Sequence, residues 1–149
     1  MIIVSACNGP VMYKKKEPVT VSSVTYKIDD LQKIKWIEGN WKAMDDDEPF
    51  YEVYKFINDS TITILNYELK GTDTTNAYTD KISWKDGLYF LGEKLDWAAA
   101  VIEDSVIEWH PNNSNVHNDI SWKLRSDSGW DATLTSPKGI KVYNMQKVR

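Results

Sequence analysis

The two histidines and a nearby aspartate form the clearest group of chemically useful side chains. His110 and His117 flank a Pro-Asn-Asn turn, and Asp119 follows close behind. If strands pair across this turn, the three side chains approach one another and could bind a divalent metal. The spacing between the histidines is not that of known zinc motifs. We therefore predict no metal site, and His110, His117 and Asp119 are weak candidates only.

Heme ligation by one of these histidines is a related alternative. Some small barrels hold heme by a single His in an otherwise apolar cavity, and His110 or His117 would be that ligand. The sequence has no covalent heme-attachment motif. No cofactor is predicted, and a heme- or metal-binding barrel remains an alternative function.

Several polar side chains lie within predicted strands and would face either solvent or an interior: Glu52, Tyr54, Glu68 and Glu108. An inward carboxylate must be paired, hydrogen-bonded or in contact with a wet cavity. Two inward carboxylates could perform acid–base chemistry. The sequence does not determine whether these side chains point inward or outward, because one β-bulge reverses the facing of every residue beyond it.

The motifs of the common enzyme classes are missing from the sequence. It has no Gly-x-Ser-x-Gly elbow, phosphate loop, His-Glu-x-x-His motif or redox Cys pair. The acidic run 45–48 lacks the ligand order of a calcium loop, so we interpret it as an exposed turn before Pro49. We predict a protein without catalytic activity.

The elements that position these side chains are predicted to be β-strands. Apolar residues recur with a period of two in segments such as 78–85, 120–125 and 130–135. Turn signals separate the predicted strands, among them Asn58-Asp59, Asp86-Gly87 and Glu103-Asp104. Nine or ten strands fit between Asn40 and Val148, without any stretch for a crossover helix. We predict an all-β, antiparallel up-and-down barrel of about 8–10 strands, whose closure removes exposed edges.

A barrel of this size can enclose one small ligand. The sequence has seven Trp and eight Tyr, and large aromatic rings form both cores and stacking surfaces for ligands. We therefore predict a cavity for a small hydrophobic or amphipathic ligand. Its candidate lining is Glu52, Tyr54, Trp84, Trp97, Trp109, His110 and Trp122. The alternative is a filled interior, with the protein acting as a structural or protein-interaction module through its outer surface.

One short N-terminal helix of about two turns is predicted before the first strand. Leu31, Ile34 and Ile37 have near-helical spacing, and a glycine ends the run. Asp29 and Asp30 precede these residues and can accept hydrogen bonds from the free N–H groups of the first turn.

The helix followed by Gly39-Asn40-Trp41 resembles the start of the lipocalin and fatty-acid-binding-protein superfamily, which carries a Gly-x-Trp motif there. The resemblance implies that Trp41 plugs one end of the barrel. It also implies a basic group from the last strand over that ring, with Lys147 or Arg149 as candidates. The fold expected is accordingly lipocalin-like.

A second resemblance extends over about residues 31–148. The order Gly39-Asn40-Trp41, Glu52-Val53-Tyr54 and the segment 117–122 is similar to an uncharacterised family of bacterial secreted lipocalin-like domains. In that family a His-Asp-Phe-Pro segment precedes an Ile-x-aromatic strand, whereas here Asn118 intervenes and the Phe-Pro pair is absent. The resemblance implies a fold and a location more than an activity.

The N-terminus resembles the lipobox of bacterial lipoproteins, because Val4-Ser5-Ala6 precedes Cys7. The resemblance implies a diacylglycerol on the Cys7 sulfur and removal of the residues before it. Only six residues precede Cys7, fewer than the stretch of a signal peptide, so we expect the true start further upstream. The expected location is the bacterial cell envelope, lipid-anchored and either periplasmic or surface-exposed, and otherwise secreted.

Three segments follow from these patterns. Residues 1–7 are a truncated signal-peptide remnant with the lipobox Cys, residues 8–28 a flexible tether, and residues 29–149 the lipocalin-like barrel. A single Cys excludes an internal disulfide framework. The formal charge of −4 without a basic, aromatic patch argues against nucleic acid as a partner. The expected partners are a small hydrophobic ligand and, through the anchor, a membrane; a protein partner is unknown.

Overall fold

The computed structural model describes residues 24–149, so Cys7 and most of the predicted tether lie outside the described residues. A 3₁₀ helix, Asp30–Ile37, precedes ten strands. These are β1 (Gly39–Asp45), β2 (Glu48–Asn58), β3 (Thr61–Lys70), β4 (Asp73–Lys85), β5 (Leu88–Leu91), β6 (Trp97–Glu103), β7 (Val106–Pro111), β8 (Asp119–Ser126), β9 (Gly129–Ser136) and β10 (Gly139–Lys147).

Each strand pairs antiparallel with its neighbour in sequence, and β1 pairs with β10 to close the barrel. The predicted all-β up-and-down barrel with one short helix is therefore confirmed for the described residues. The closing pair is short, Trp41 with Lys147 and Lys42 with Gln146, and closure reduces the exposed sheet edge that an open sheet of ten strands would have. Within the described residues, the helix has neither the length nor the apolar character needed to cross a membrane.

The turns lie where the sequence predicts them. Asp86 and Gly87 join β4 to β5 with φ values of 51° and 83°, the left-handed pair that a two-residue hairpin requires. The acidic run 45–48 joins β1 to β2 and is exposed, as predicted. Because consecutive strands run in opposite directions, successive turns lie at opposite ends of the barrel.

The 3₁₀ helix covers one of these ends. Leu31, Ile34 and Ile37, whose spacing predicted the helix, are fully buried. The Trp36 indole N–H donates to the carbonyl of Asp104 (2.9 Å), in the turn between β6 and β7. The helix is therefore fixed to the barrel by burial and by a hydrogen bond to a strand turn.

The start of the helix differs from the prediction in its capping. Asp29 makes no side-chain capping bond. The Asp30 carboxylate instead accepts a hydrogen bond from the N–H of Lys27 (2.7 Å), upstream of the helix. The reason is the tighter 3₁₀ geometry together with the bend of the chain before it, which brings the residue 27 amide to this carboxylate.

Residues 24–28 belong to the barrel domain, so the predicted tether boundary at residue 28 is wrong. Tyr26 is only 9% exposed, and its N–H donates to the carbonyl of Gly87 (2.7 Å). The Trp84 indole N–H donates to the Tyr26 carbonyl (3.2 Å), and the Tyr89 hydroxyl donates to the Ile28 carbonyl. Burial of an aromatic ring and these three bonds outweigh the weak local pattern of the segment.

Trp41 plugs the same end, as the superfamily resemblance implies. It is 1% exposed, and its indole N–H donates to the carbonyl of Ile37 (2.7 Å). The Lys147 ammonium lies 5.5 Å from the centre of the Trp41 ring. Of the two basic candidates, Lys147 therefore forms the predicted cation–π contact, because β10 pairs with β1 at this residue.

Candidate ligand-binding cavity

The half of the barrel away from the 3₁₀ helix encloses a cavity of about 720 Å³. Its lining includes Asp45, Asp46 and Glu48 from the exposed β1–β2 turn, so the cavity opens at that end. Its volume lies within the range of about 300 to 1,000 Å³ that is usual for small-molecule sites. The filled-interior alternative therefore holds only for the helix half, where large side chains fill the barrel.

Three rings form the floor of the cavity, Tyr54, Trp122 and Trp130, and we call them the aromatic floor. Tyr54 meets both tryptophans edge to face at 5.7 Å between ring centres, and the tryptophans lie 5.6 Å apart. On the far side Trp130 contacts Trp41 at 6.0 Å. The aromatic floor is thus continuous with the plugged end, which fixes its position.

Further rings line the wall of the cavity: Phe50, Tyr51, Tyr67, Tyr78, Trp97 and Tyr143. Phe50 and Tyr143 meet edge to face at 5.2 Å, across strands β1, β2 and β10. The Trp97 indole N–H donates to the carbonyl of Asn118 (2.9 Å), which fixes this ring against the β7–β8 connection. The wall therefore offers preformed aromatic surface.

Charged side chains in the lining are all acidic: Asp45, Asp46, Glu48, Glu52, Glu68 and Asp80. No Lys, Arg or His belongs to the lining within residues 24–149. At the mouth, Asp45 pairs with Lys141, which stands outside the lining. The cavity is consequently a region of negative potential enclosed by aromatic rings.

Glu52 is the carboxylate nearest the aromatic floor. The Tyr54 hydroxyl donates to its Oε2 (2.6 Å). Burial raises the pKa of Glu52 to about 7; the Tyr54 hydrogen bond opposes this rise and the charge of Asp80 adds to it. Burial also raises the pKa of Asp80, whose Oδ1 accepts the N–H of Lys81 (2.9 Å). Both carboxyl groups are thus held where their charged forms are poorly stabilised.

A β-bulge shapes the mouth of the cavity. The pairing of β3 and β4 shifts register between Asn66 and Glu68, opposite Asn76, which has a φ of 51°. The Asn76 side-chain amide donates to the Glu68 carboxylate (2.8 Å). The bulge lets both side chains line the opening, although alternation alone could not have placed them there.

Four of the seven predicted cavity residues line the cavity: Glu52, Tyr54, Trp97 and Trp122. Trp109 is fully buried against Trp122 (5.6 Å) and does not line the cavity, although it pairs with Ile120, which does. Trp84 is half-buried and bonded to Tyr26 at the helix end. These two tryptophans, predicted as lining, are therefore part of the packing, because alternation identifies the inner face but not which inward rings are covered by their neighbours.

His110, also predicted as lining, lies outside the cavity. Its neighbour Trp109 points inward, so alternation turns His110 to the outer face. His110 Nδ1 and Asp119 Oδ1 lie 2.7 Å apart, so the expected approach of these two groups across the turn is confirmed. Within residues 24–149 no three metal-ligating side chains cluster, and His117 is exposed. Neither histidine is therefore placed to hold heme inside the cavity.

Two of the inward-carboxylate candidates, Glu52 and Glu68, line the cavity, whereas Glu108 does not. Asp80 also lines it and was not among the predicted site residues. The signal for Asp80 was present, since it alternates with Ile82 on one face of β4. Phe50 carried the same signal, since it alternates with Glu52 and Tyr54 on β2. For Tyr67 the sequence carried no comparable signal, because this residue lies at the register shift between Asn66 and Glu68.

No protein-family model matches this chain, and no curated protein sequence matches it. Among solved structures, it is similar to the crystal structure of a single-residue mutant of the fluorescent protein UnaG, with a TM-score of 0.57. The identity is 9%, and the match covers 78% of this chain and 99% of that chain. At this identity the likeness is one of fold alone, and it agrees with the predicted fold class.

Proposed function

We propose that the protein binds a small hydrophobic or amphipathic molecule inside the barrel, without bond-making chemistry. The observation that carries the proposal is the cavity of about 720 Å³ above the aromatic floor. A preformed apolar cavity with a few polar groups is the common form of a small-molecule site. Each Å² of apolar ligand surface removed from water contributes about 25 cal/mol, before the entropy of binding is subtracted.

The polar groups of the cavity suit orientation of a ligand better than acid–base chemistry. A carboxyl pair that shares one proton, as in aspartic proteases, needs the two groups in direct contact. Within the described residues Glu52 is bonded to Tyr54 and Asp80 to the Lys81 amide, rather than to each other. The two carboxylates instead provide separate polar contacts on an aromatic surface.

Ligand uptake is tested by native mass spectrometry and by displacement of a lipophilic fluorophore. Leu134 lines the cavity, and Leu65 lies exposed on the outer face of β3. We expect Leu134→Trp to reduce uptake about tenfold or more, because the larger ring occupies the cavity. Leu65→Trp is the matched control and should leave uptake unchanged. Absence of any co-purified ligand or uptake by the unmodified protein would favour the protein-interaction alternative.

The proposed location is the bacterial cell envelope, with a lipid anchor on Cys7. The support is the lipobox resemblance of residues 4–7, which lie outside the described residues. Cys7→Ala expressed with its native upstream sequence should move the protein from the membrane fraction to the soluble fraction, whereas Ser5→Ala should not. An upstream region without a basic, apolar leader would contradict the anchor.

A further inference from the structure

The lining of the cavity is strongly asymmetric in charge. Its six Asp and Glu side chains are the only charged residue types among the described lining residues. One of the six, Asp45, forms an ion pair with Lys141 at the mouth. A cavity for a fatty acid or another anion would need a positive partner for the ligand's charge, since an unpaired buried charge costs several kcal/mol. The described lining offers none.

Glu52 is the group with the clearest unmet requirement. It lies on β2 opposite Trp41 of β1 and Asn66 of β3, which places it on the inner face. Its Oε2 accepts the Tyr54 hydroxyl, and among residues 24–149 no basic side chain pairs with it. Its Oε1 accepts no hydrogen bond from the described residues. One face of this carboxylate is therefore free for a donor on a ligand.

The positive charge expected on the ligand belongs to an organic group rather than to a metal ion. No three carboxylate, His or Cys side chains in residues 24–149 cluster as metal ligands, and the lining is mainly aromatic. Aromatic rings attract ammonium groups through cation–π contacts, worth about 0.5 to 2 kcal/mol each. Carboxylate and rings together match a substituted amine.

We infer that the ligand is an amphipathic organic cation, an aromatic or alicyclic amine whose ammonium group donates to Glu52 while its apolar body rests on the aromatic floor. This inference rests on the proposed function and adds the chemical class of the ligand. Asp80 supplies a second negative charge on the neighbouring part of the wall. The mouth carboxylates steer cations toward the opening.

The charged groups around Glu52 determine how binding depends on pH. Asp80 on β4 is the neighbouring carboxylate, and Glu93 and Asp96 lie behind it. Lys42 contacts the ring of Tyr51 at 5.8 Å, and Lys141 is held by Asp45 at the mouth. Since the pKa of Glu52 is raised to about 7, the carboxylate ionises as pH rises from about 6 to about 8. Affinity for an amine should increase over this interval, and affinity for an uncharged ligand should not.

Three probes with one aromatic body separate charge from shape: 2-(1-naphthyl)ethylamine, 2-(1-naphthyl)ethanol and 1-naphthylacetate. Their dissociation constants are measured at about pH 8 by isothermal titration calorimetry on the full chain. We expect the amine to bind at least about tenfold more tightly than the alcohol, and the acetate to bind weakest. Equal affinity for all three would overturn the inference while leaving the proposed function intact. Failure of all three probes to bind, together with no uptake of the lipophilic fluorophore, would overturn both.

Glu52→Gln removes the charge while keeping the size of the side chain. It should weaken amine binding about 10- to 100-fold, the size of a hydrogen bond to a charged group, and change alcohol binding by less than about twofold. Retained alcohol binding shows that the cavity is intact in this variant. The matched control is Glu103→Gln, on an exposed carboxylate at the end of β6, which should affect neither probe. Equal losses for amine and alcohol, or no loss for the amine, would contradict the role of Glu52.

Discussion

The two halves of this barrel differ in what fills them. In the helix half the interior is closed by apolar side chains such as Leu31, Ile34, Ile37 and Trp41, all 1% exposed or less. In the open half the same strands present carboxylates and half-buried rings around a cavity. The helix half also receives side chains from the 3₁₀ helix, so the difference arises from the strand side chains and from the helix that covers one end.

The comparison indicates a division of roles between the halves. A packed core with apolar contacts on all sides contributes most of the stability, because the burial of apolar surface is the main favourable term in folding. The open half leaves aromatic surface uncovered and keeps carboxylates away from positive partners, which reduces stability. Side chains that lower the stability of the folded state in this way are typical of functional sites.

Trp41→Ala should have the largest effect on stability. Loss of a fully buried Trp in a packed core costs about 3–5 kcal/mol, since it removes apolar burial and leaves a cavity. The free energy of unfolding is measured by urea denaturation. Trp97→Ala in the open half is the comparison, and we expect a clearly smaller loss because this ring is only half-buried and borders the existing cavity. Similar losses for both variants would remove the proposed difference between the halves.

Glu52→Gln should stabilise the protein at alkaline pH. The pKa of Glu52 is raised from 4.5 to about 7, so the folded state binds its proton more tightly than the unfolded state. Stability from this group is complete below pH 4.5, falls as pH rises toward 7, and is absent above about pH 7. At about pH 8 the variant should be more stable by at most about 3 kcal/mol, and at about pH 4 the two should be equal.

Thermal unfolding of both proteins from about pH 4 to about pH 8 measures this difference. Glu103→Gln is again the control, because this side chain is exposed and lies outside the cavity lining. A Glu52→Gln variant less stable than the unmodified protein at the alkaline end would show that the carboxylate is well solvated or paired. That result would contradict the assignment of stability to the helix half and of ligand binding to the open half.

Lys147→Met should have the smallest effect. It removes the cation–π contact with Trp41 but keeps the apolar stem of the side chain, so the loss should be about 0.5–1 kcal/mol. Urea denaturation detects a change of this size. Lys55→Met, on an exposed position of β2, provides a comparison with no expected loss. Equal effects of the two substitutions would mean that the contact with Trp41 contributes nothing measurable.

The sequence predicted the strands and turns well because each rests on local chemistry. Alternation with a period of two specifies a strand with two faces, and pairs such as Asp86-Gly87 specify a hairpin. The Trp41 plug and its Lys147 contact followed from the superfamily resemblance. These features depend on neighbours in the sequence, or on a motif at a fixed place in the fold.

The candidate site was predicted only in part. Glu52 and Tyr54 line the cavity as expected, but Trp84 and Trp109, on the same inner face, do not. A residue's face follows from parity, whereas its height along the axis follows from the register and tilt of all ten strands. The Asn76 bulge altered the mouth in the same way.

The sequence by itself determined an all-β chain with ordered reversals and an aromatic-rich inner face, because side-chain periodicity and turn chemistry are local properties. Only the tertiary structure decided which half is filled and which is hollow, and that Glu52 and Asp80 face the same cavity without a basic partner in its lining. These facts depend on strand register and closure, which join residues far apart in the chain.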